Sequence, residues 1–292
     1  MFRGGLRFVL LCGAVGLACV VASDAEAQLK FDRGQNVAPV FEGWERNPDG
    51  TFNMVFGYMN RNYREMPHAP VGADNFFEPG PADRGQPTRF YVRRQQFVFR
   101  VQVPADWGEK DLVWTVTSNG RTDRAVASLW PAWEIDDGVI KANRGMGANG
   151  WPADNRFPYI EVEPGTDLTV TLPDTLALTA RVSDDGIPGP REKPTTPERI
   201  AALELRRSRP HPINQDVVNA FEAGETGLAV TWTHYRGPGR VTFDPMVTHI
   251  EGGRGGEAVT TVTFSERGTH VLRGHADDTI KVTPILVTVT VD

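Results

Sequence analysis

Two acidic pairs, Asp184-Asp185 followed by Gly186 and Asp277-Asp278 followed by Thr279, are the side chains best suited to hold a hard cation. Ca²⁺ takes 6–8 oxygen ligands, and carboxylates from two converging loops supply them. Neither pair has the one-in-two spacing of a dedicated calcium loop, and Asp also favours turns for its own backbone hydrogen bonding. A second set, Glu134, Asp136, Asp137 and Asp154, lies among Trp130, Trp133 and Trp151. Paired carboxylates beside exposed aromatic rings are what glycoside chemistry needs, as acid and base flanking a sugar held by its apolar face. The plainer alternative is that these Trp side chains pack at a joint between domains.

Other reactive patterns are missing. No serine sits in a Gly-x-Ser-x-Gly elbow, and no His-Glu-x-x-His pattern is present. His234, His249, His270 and His275 fall in strand-like runs. His270 and His275 alternate onto opposite faces, while His234 and His270 can meet across neighbouring strands. The run Gly252-Gly253-Arg254-Gly255-Gly256 joins two strands, which makes it a turn and no phosphate cradle.

The elements that position these residues read as strands. Leu228-Ala229-Val230-Thr231-Trp232, Val241-Thr242-Phe243, Ala258 to Phe264 and Gly268 to Arg273 alternate apolar and small polar residues, and Gly, Pro or Asp break each run. Gly237-Pro238-Gly239 supplies one of those breaks.

These residues resemble a bacterial immunoglobulin-like module of the PKD type. The resemblance rests on Trp232, the Gly-Pro-Gly turn into Val241-Thr242-Phe243, Phe264, the Gly268-to-Arg273 strand and the acidic turn at Asp277-Asp278. Leu176 to Ala180 and Asp184-Asp185-Gly186 match its beginning, so it covers about 159–292. His270 stands where the family favours Tyr, and Asp278-Thr279 where it favours Asp-Gly. The resemblance implies a non-enzyme used for spacing, binding or adhesion. It also implies seven strands over 168–291, with Trp232, Phe264 and Leu272 in one core. In an immunoglobulin-like order the loops after the second and sixth strands share one end, so Asp184, Asp185, Asp277 and Asp278 are expected to crowd one pole.

The module carries an insertion at about 188–226. It opens with Pro188, Pro190, Pro194 and Pro197. Thr196 and Pro197 are suited to start a helix over 196–207. Ile200 and Leu203 give that helix an apolar stripe, and Arg206, Arg207 and Arg209 make its end basic. A further helical turn is expected at 214–222.

The N-terminal part, 28–157, reads as a second β-sandwich. Thr51 to Tyr58, Phe97 to Val103, Leu112 to Thr117 and Ala125 to Leu129 are expected strands, and 67–88 one long connection. Trp114, mid-strand, is expected in the core. The stretch from Phe56-Gly57-Tyr58 through Asp83-Arg84-Gly85-Gln86-Pro87-Thr88 is similar to secreted bacterial proteins of no assigned activity. The fold class is therefore all-β, two immunoglobulin-like sandwiches in tandem with a short helical insertion in the second.

Residues 1–27 carry Arg3 and Arg7, then an apolar run from Phe8 to Ala22, then Ala25-Glu26-Ala27. The run is short for a membrane span, and the pattern predicts a secretory signal cleaved before Gln28, hence a secreted or periplasmic protein. Both cysteines, Cys12 and Cys19, lie in this leader, so the mature chain needs no disulfide to fold. The formal charge is −6, all of it C-terminal to Phe157. Such a balance lacks the basic face of a nucleic-acid binder. The expected function is a non-catalytic binding or adhesion-type module whose partner is a cell-envelope or extracellular polysaccharide or protein. The alternative is a carbohydrate-active enzyme or carbohydrate-binding protein with a site near 130–155.

Overall fold

The computed structural model describes residues 31–143, 154–189, 196–198, 200–201 and 227–292. The leader, Trp151, Leu203, the three arginines Arg206, Arg207 and Arg209, and the helical turn expected at 214–222 lie outside the described residues.

Alternating runs become strands as their patterning dictates, and each sandwich encloses its own core. In the first, β1 (Val37–Arg46), β2 (Phe52–Asn60) and β4 (Arg93–Val103) form one sheet in the order β1-β2-β4. β3 (Asn75–Glu78), β5 (Leu112–Ser118) and β6 (Arg121–Ala127) form the facing sheet in the order β3-β5-β6. Between them Phe56, Phe77, Phe90, Phe99 and Trp114 make an aromatic core, Trp114 fully buried. Phe77 stacks on Trp114 at 5.8 Å between centroids, while Phe99 meets Trp114 edge-on at 5.0 Å. Offset and edge-to-face contacts of this kind add to the burial of the rings themselves. Trp114 Nε1 donates to Asn75 Oδ1 at 2.8 Å, so the buried indole has its acceptor.

The second sandwich opens with a strand that changes sheets. β7 (Tyr159–Glu163) pairs with β9 (Leu176–Ser183), and after Pro164-Gly165 the chain continues as β8 (Asp167–Val170) in the opposite sheet. Pro has no N–H to extend a ladder, which favours the break there. β10 (Ala229–Arg236), β11 (Val241–Asp244), β12 (Val247–His249), β13 (Gly255–Phe264), β14 (Gly268–Asp277) and β15 (Val282–Val291) complete the fold. One sheet runs β12-β10-β14-β15-β8 and the other β11-β13-β9-β7. All pairings are antiparallel except β8 with β15.

Trp232 is 1% exposed and shares its core with Phe264 and Leu272. A Cβ at Gly274 would come within 2.9 Å of the Trp232 ring, so β14 has glycine where the indole crosses it. A buried tryptophan on β10, with β14 beside it and β15 next in the sheet, is the immunoglobulin-like arrangement.

Three expectations need correcting. The second sandwich has more than seven strands, because its first strand is split into β7 and β8 and β12 adds a short edge. The stretch 67–88 is no bare connection, since it contains β3. β1 was not legible as a strand, and it pairs along its length with β2 across a bulge at Phe41/Gly43.

Of the insertion, residues 197–198 and 200–201 are helical, with Ile200 N donating to Thr196 O at 3.0 Å. Ile200 is 40% exposed, so it does not serve as the buried anchor expected of it. Among the described residues no helix is long and apolar enough to cross a membrane.

Candidate functional site

The tryptophan segment packs along the outside of β1. Trp44 Nε1 donates to Trp130 O at 2.9 Å, and Ile135 N to Trp44 O at 2.9 Å. Gly43 permits this approach, since a Cβ there would lie 2.7 Å from Trp133 O. Trp130 is 66% and Trp133 48% exposed. Trp133 packs against Phe41 at 6.1 Å between centroids, and neither ring lines the cavity described below. The carboxylates beside them have structural partners: Glu134 pairs with Arg46 at 3.3 Å, Asp136 Oδ1 accepts Val139 N at 2.9 Å at the start of α1 (Asp137–Asn143), and Asp137 pairs with Lys281 at 3.5 Å.

The acidic pole forms only in part. Asp184 lies close enough to Asp278 for their charges to repel, as the shared end of β9 and β14 requires. Asp278 is fully buried, and Ile280 N and Lys281 N both donate to its Oδ1 at 2.6 Å. Desolvation is the largest influence on it and raises its pKa to about 6, with Asp184 adding to the rise. Asp184 is raised too, again chiefly by burial.

Asn155, 5% exposed, lies beside Asp278, and among the described residues Asp184 Oδ1 and Asp278 Oδ2 have no partner in hydrogen-bond geometry. Asp185 is committed elsewhere, accepting Ile187 N at 2.9 Å and Arg156 N at 2.8 Å, and Asp277 Oδ1 accepts Thr279 N at 2.8 Å. Four converging aspartates are therefore not what the loops build. The Asx turns of Asp185 and Asp277 take those carboxylates for the backbone. Among the described residues no three Asp, Glu, His or Cys side chains come together as metal ligands.

The histidines of β10 and β14 do meet. His270 Nδ1 is 3.3 Å from His234 Nε2, and His270 Nε2 is 3.1 Å from Glu266 O. A carbonyl only accepts, so His270 carries its proton on Nε2 and its Nδ1 accepts from His234. Burial, with Arg89 nearby, drives the pKa of His234 down to about 3 and lowers that of His270. This is a neutral, satisfied pair inside the fold.

The richest polar constellation is the junction, built by a segment whose sequence suggested only a linker. Asn75 and Gln86, both fully buried, hold residues 69–87 in shape: Asn75 Nδ2 donates to Ala69 O and Pro87 O, and Gln86 Nε2 to Ala82 O. The shaped loop then grips the end of β10. Arg236 donates bidentately to Asp83 at 2.7 and 3.0 Å and its Nε donates to Gln86 O at 2.6 Å. Tyr235 OH donates to Gly85 O at 2.5 Å, and Tyr235 O accepts Thr88 N at 3.0 Å. His234 N donates to Tyr91 OH at 2.8 Å. Hydrogen bonding to Arg236 holds Asp83 below the usual carboxylate range. Beside this grip a cavity of about 280 Å³ is lined by Tyr58, Arg89, Tyr91, Tyr235 and Arg273. No sequence pattern announced it, because its residues come from six separate stretches.

The fold defines a pair of β-sandwiches, the second with an immunoglobulin-like strand order. No protein-family model matches the chain, and comparison with curated proteins finds no match. Among solved structures the chain is similar to domains 4 and 5 of the S-layer protein SbsC (9% identity, 78% of this chain and 98% of that one, TM-score 0.26). It is also similar to the D00-D0 domain of intimin (9%, 87% and 100%, TM-score 0.25) and to titin A168–A169 (10%, 87% and 99%, TM-score 0.24). Scores this low carry no argument, and the immunoglobulin-like assignment stands on strand order and Trp232.

Proposed function

We propose that this chain is a non-catalytic, secreted or periplasmic binding and structural module of the adhesion type. Its two sandwiches act as one stiff body that presents its outer faces to a cell-envelope or extracellular polysaccharide or protein. The observation that supports this is the grip of residues 83–91 on Tyr235 and Arg236. Domains in one chain move against each other by default unless their interface is large and hydrophobic; here backbone, tyrosine-hydroxyl and bidentate ionic bonds cross it and supply the restraint instead. A stiff double sandwich suits load-bearing spacing or display.

The carbohydrate-active alternative is less well supported. Glu134, Asp136 and Asp137 are engaged by Arg46, by a helix start and by Lys281, and the Trp130 and Trp133 rings lie exposed. The test is to apply the purified protein to an array of polysaccharides and cell-envelope fractions while assaying for released sugar. Retention without release is expected. Release of reducing sugar that Glu134→Gln abolishes overturns the reading.

A further inference from the structure

The cavity at the junction is lined by five cationic side chains, and not all of them have a carboxylate partner. Of its cations, Arg94 pairs with Glu42, Arg100 with Glu45 and Lys281 with Asp137. Neither Arg273 nor Arg89 makes an ion pair among the described residues, although the Glu266 carboxylate lies near enough to Arg89 to favour its charge. Among the described residues the Arg273 guanidinium makes one hydrogen bond, from an Nη to Val98 O at 2.5 Å, and it lies 5.8 Å from the Tyr235 ring. Arg89 Nε is buried without an acceptor. Desolvation lowers the pKa of both, which marks how poorly the protein alone solvates their charge.

The hydroxyls nearby have the same bias. Tyr58 OH accepts Tyr91 N at 2.9 Å, and Tyr91 OH accepts His234 N. Each oxygen is thus fixed while its hydrogen has no acceptor among the described residues. Burial pushes Tyr91 up to about 12 and Tyr58 further still, so both stay protonated donors at neutral pH. Opposite them Phe97, Val98, Phe157 and Pro284 give the cavity an apolar side.

A guanidinium drawn out of water without a carboxylate partner is unfavourable, and a bidentate oxyanion is what relieves it. A cavity near 300 Å³ with an apolar wall and a few convergent donors suits a small molecule. We propose that this cavity binds a small organic carboxylate, its oxygens held by the Arg273 fork and the Tyr58 and Tyr91 hydroxyls and its body against the apolar wall. The inference is independent of the adhesion reading, which concerns the outer faces, so a blank array leaves it standing.

The test is the thermal midpoint and calorimetric titration of the full protein with acetate, benzoate and glucuronate, each beside its neutral amide. At least one carboxylate is expected to raise the midpoint and its amide to leave it unchanged. Arg273→Met is expected to melt higher than wild type without additive, because a desolvated charge with no carboxylate partner is gone, and to lose the carboxylate response. Arg273→Lys keeps the charge without the fork, and carboxylate affinity is expected to fall on the order of 10-fold, a readout that remains if Arg273→Met does not fold. The proposal is overturned if no carboxylate shifts the midpoint, if the amides act equally, or if either variant keeps the full carboxylate response.

Discussion

His234 Nε2 lies 3.3 Å from His270 Nδ1 across β10 and β14, and both rings are neutral in the folded protein. The unfolded chain takes up a proton near the ordinary histidine pKa of about 6.5, whereas folded His234 resists protonation down to about 3. Their stabilisation is therefore complete above pH 6.5 and is lost as pH falls. His234 alone is expected to cost up to about 2 kcal/mol between pH 7 and pH 5. Urea midpoints across that range check it, and His234→Leu with His270→Phe should flatten the acid limb. An unchanged slope in the double variant would contradict the assignment.

Asp278 has the opposite sign. Its folded pKa of about 6 lies above the unfolded value, so its penalty is present above pH 6 and relieved as pH falls toward 4. Asp278→Asn keeps the Oδ1 that accepts Ile280 N and Lys281 N and removes the charge facing Asp184. It is expected to stabilise the protein by about 1–2 kcal/mol at pH 7.5 and by almost nothing at pH 4. Two carboxylates and one amide fall well short of a Ca²⁺ shell, so millimolar Ca²⁺ is expected to leave the wild-type melting midpoint unchanged. A calcium-dependent rise that Asp278→Asn abolishes would restore the metal site.

Trp232→Ala is expected to cost about 3–5 kcal/mol, since the indole is buried between β10 and Phe264, Leu272 and Val289 of the same core. Gly274→Ala is expected to destabilise as well, because the added methyl meets the Trp232 ring. A loss below about 1 kcal/mol for Trp232→Ala, measured by chemical denaturation, would show that the ring does not fill this core.

What the sequence revealed and what it withheld follow from the range of the interactions. Period-two alternation is local, so Ala258 to Phe264 and Phe97 to Val103 were legible as strands, and Trp232 and Trp114 as core. The meeting of His234 with His270 followed from strand adjacency. β1 escaped because its Phe41-to-Gly43 bulge and its Pro39 interrupt the alternation. The junction escaped because residues 67–88 are Pro-, Gly- and Asp-rich, and only the buried amides of Asn75 and Gln86 turn them into a shaped docking loop. Arg273 and Tyr58, 215 positions apart, carry no sequence sign that they share a cavity. Asp185 and Asp277 looked like ligands because turn chemistry and cation chemistry use the same carboxylate.

The bidentate pair of Arg236 with Asp83 is expected to show a coupling of about 0.5–1 kcal/mol in a double-mutant cycle with alanine, reduced by its partial exposure. Arg236→Ala alone is expected to cost more than Asp83→Ala, because its Nε also donates to Gln86 O. Equal losses, additive in the double variant, would mean that the pair does not help to hold the junction.

Differential scanning calorimetry of the full protein tests the stiff-body account most directly. If residues 83–91 lock the two sandwiches together, unfolding is a single transition whose calorimetric and van't Hoff enthalpies agree, and Asp83→Ala with Arg236→Ala begins to split it. Two separate transitions in the unaltered protein, each with its own midpoint, would contradict the account.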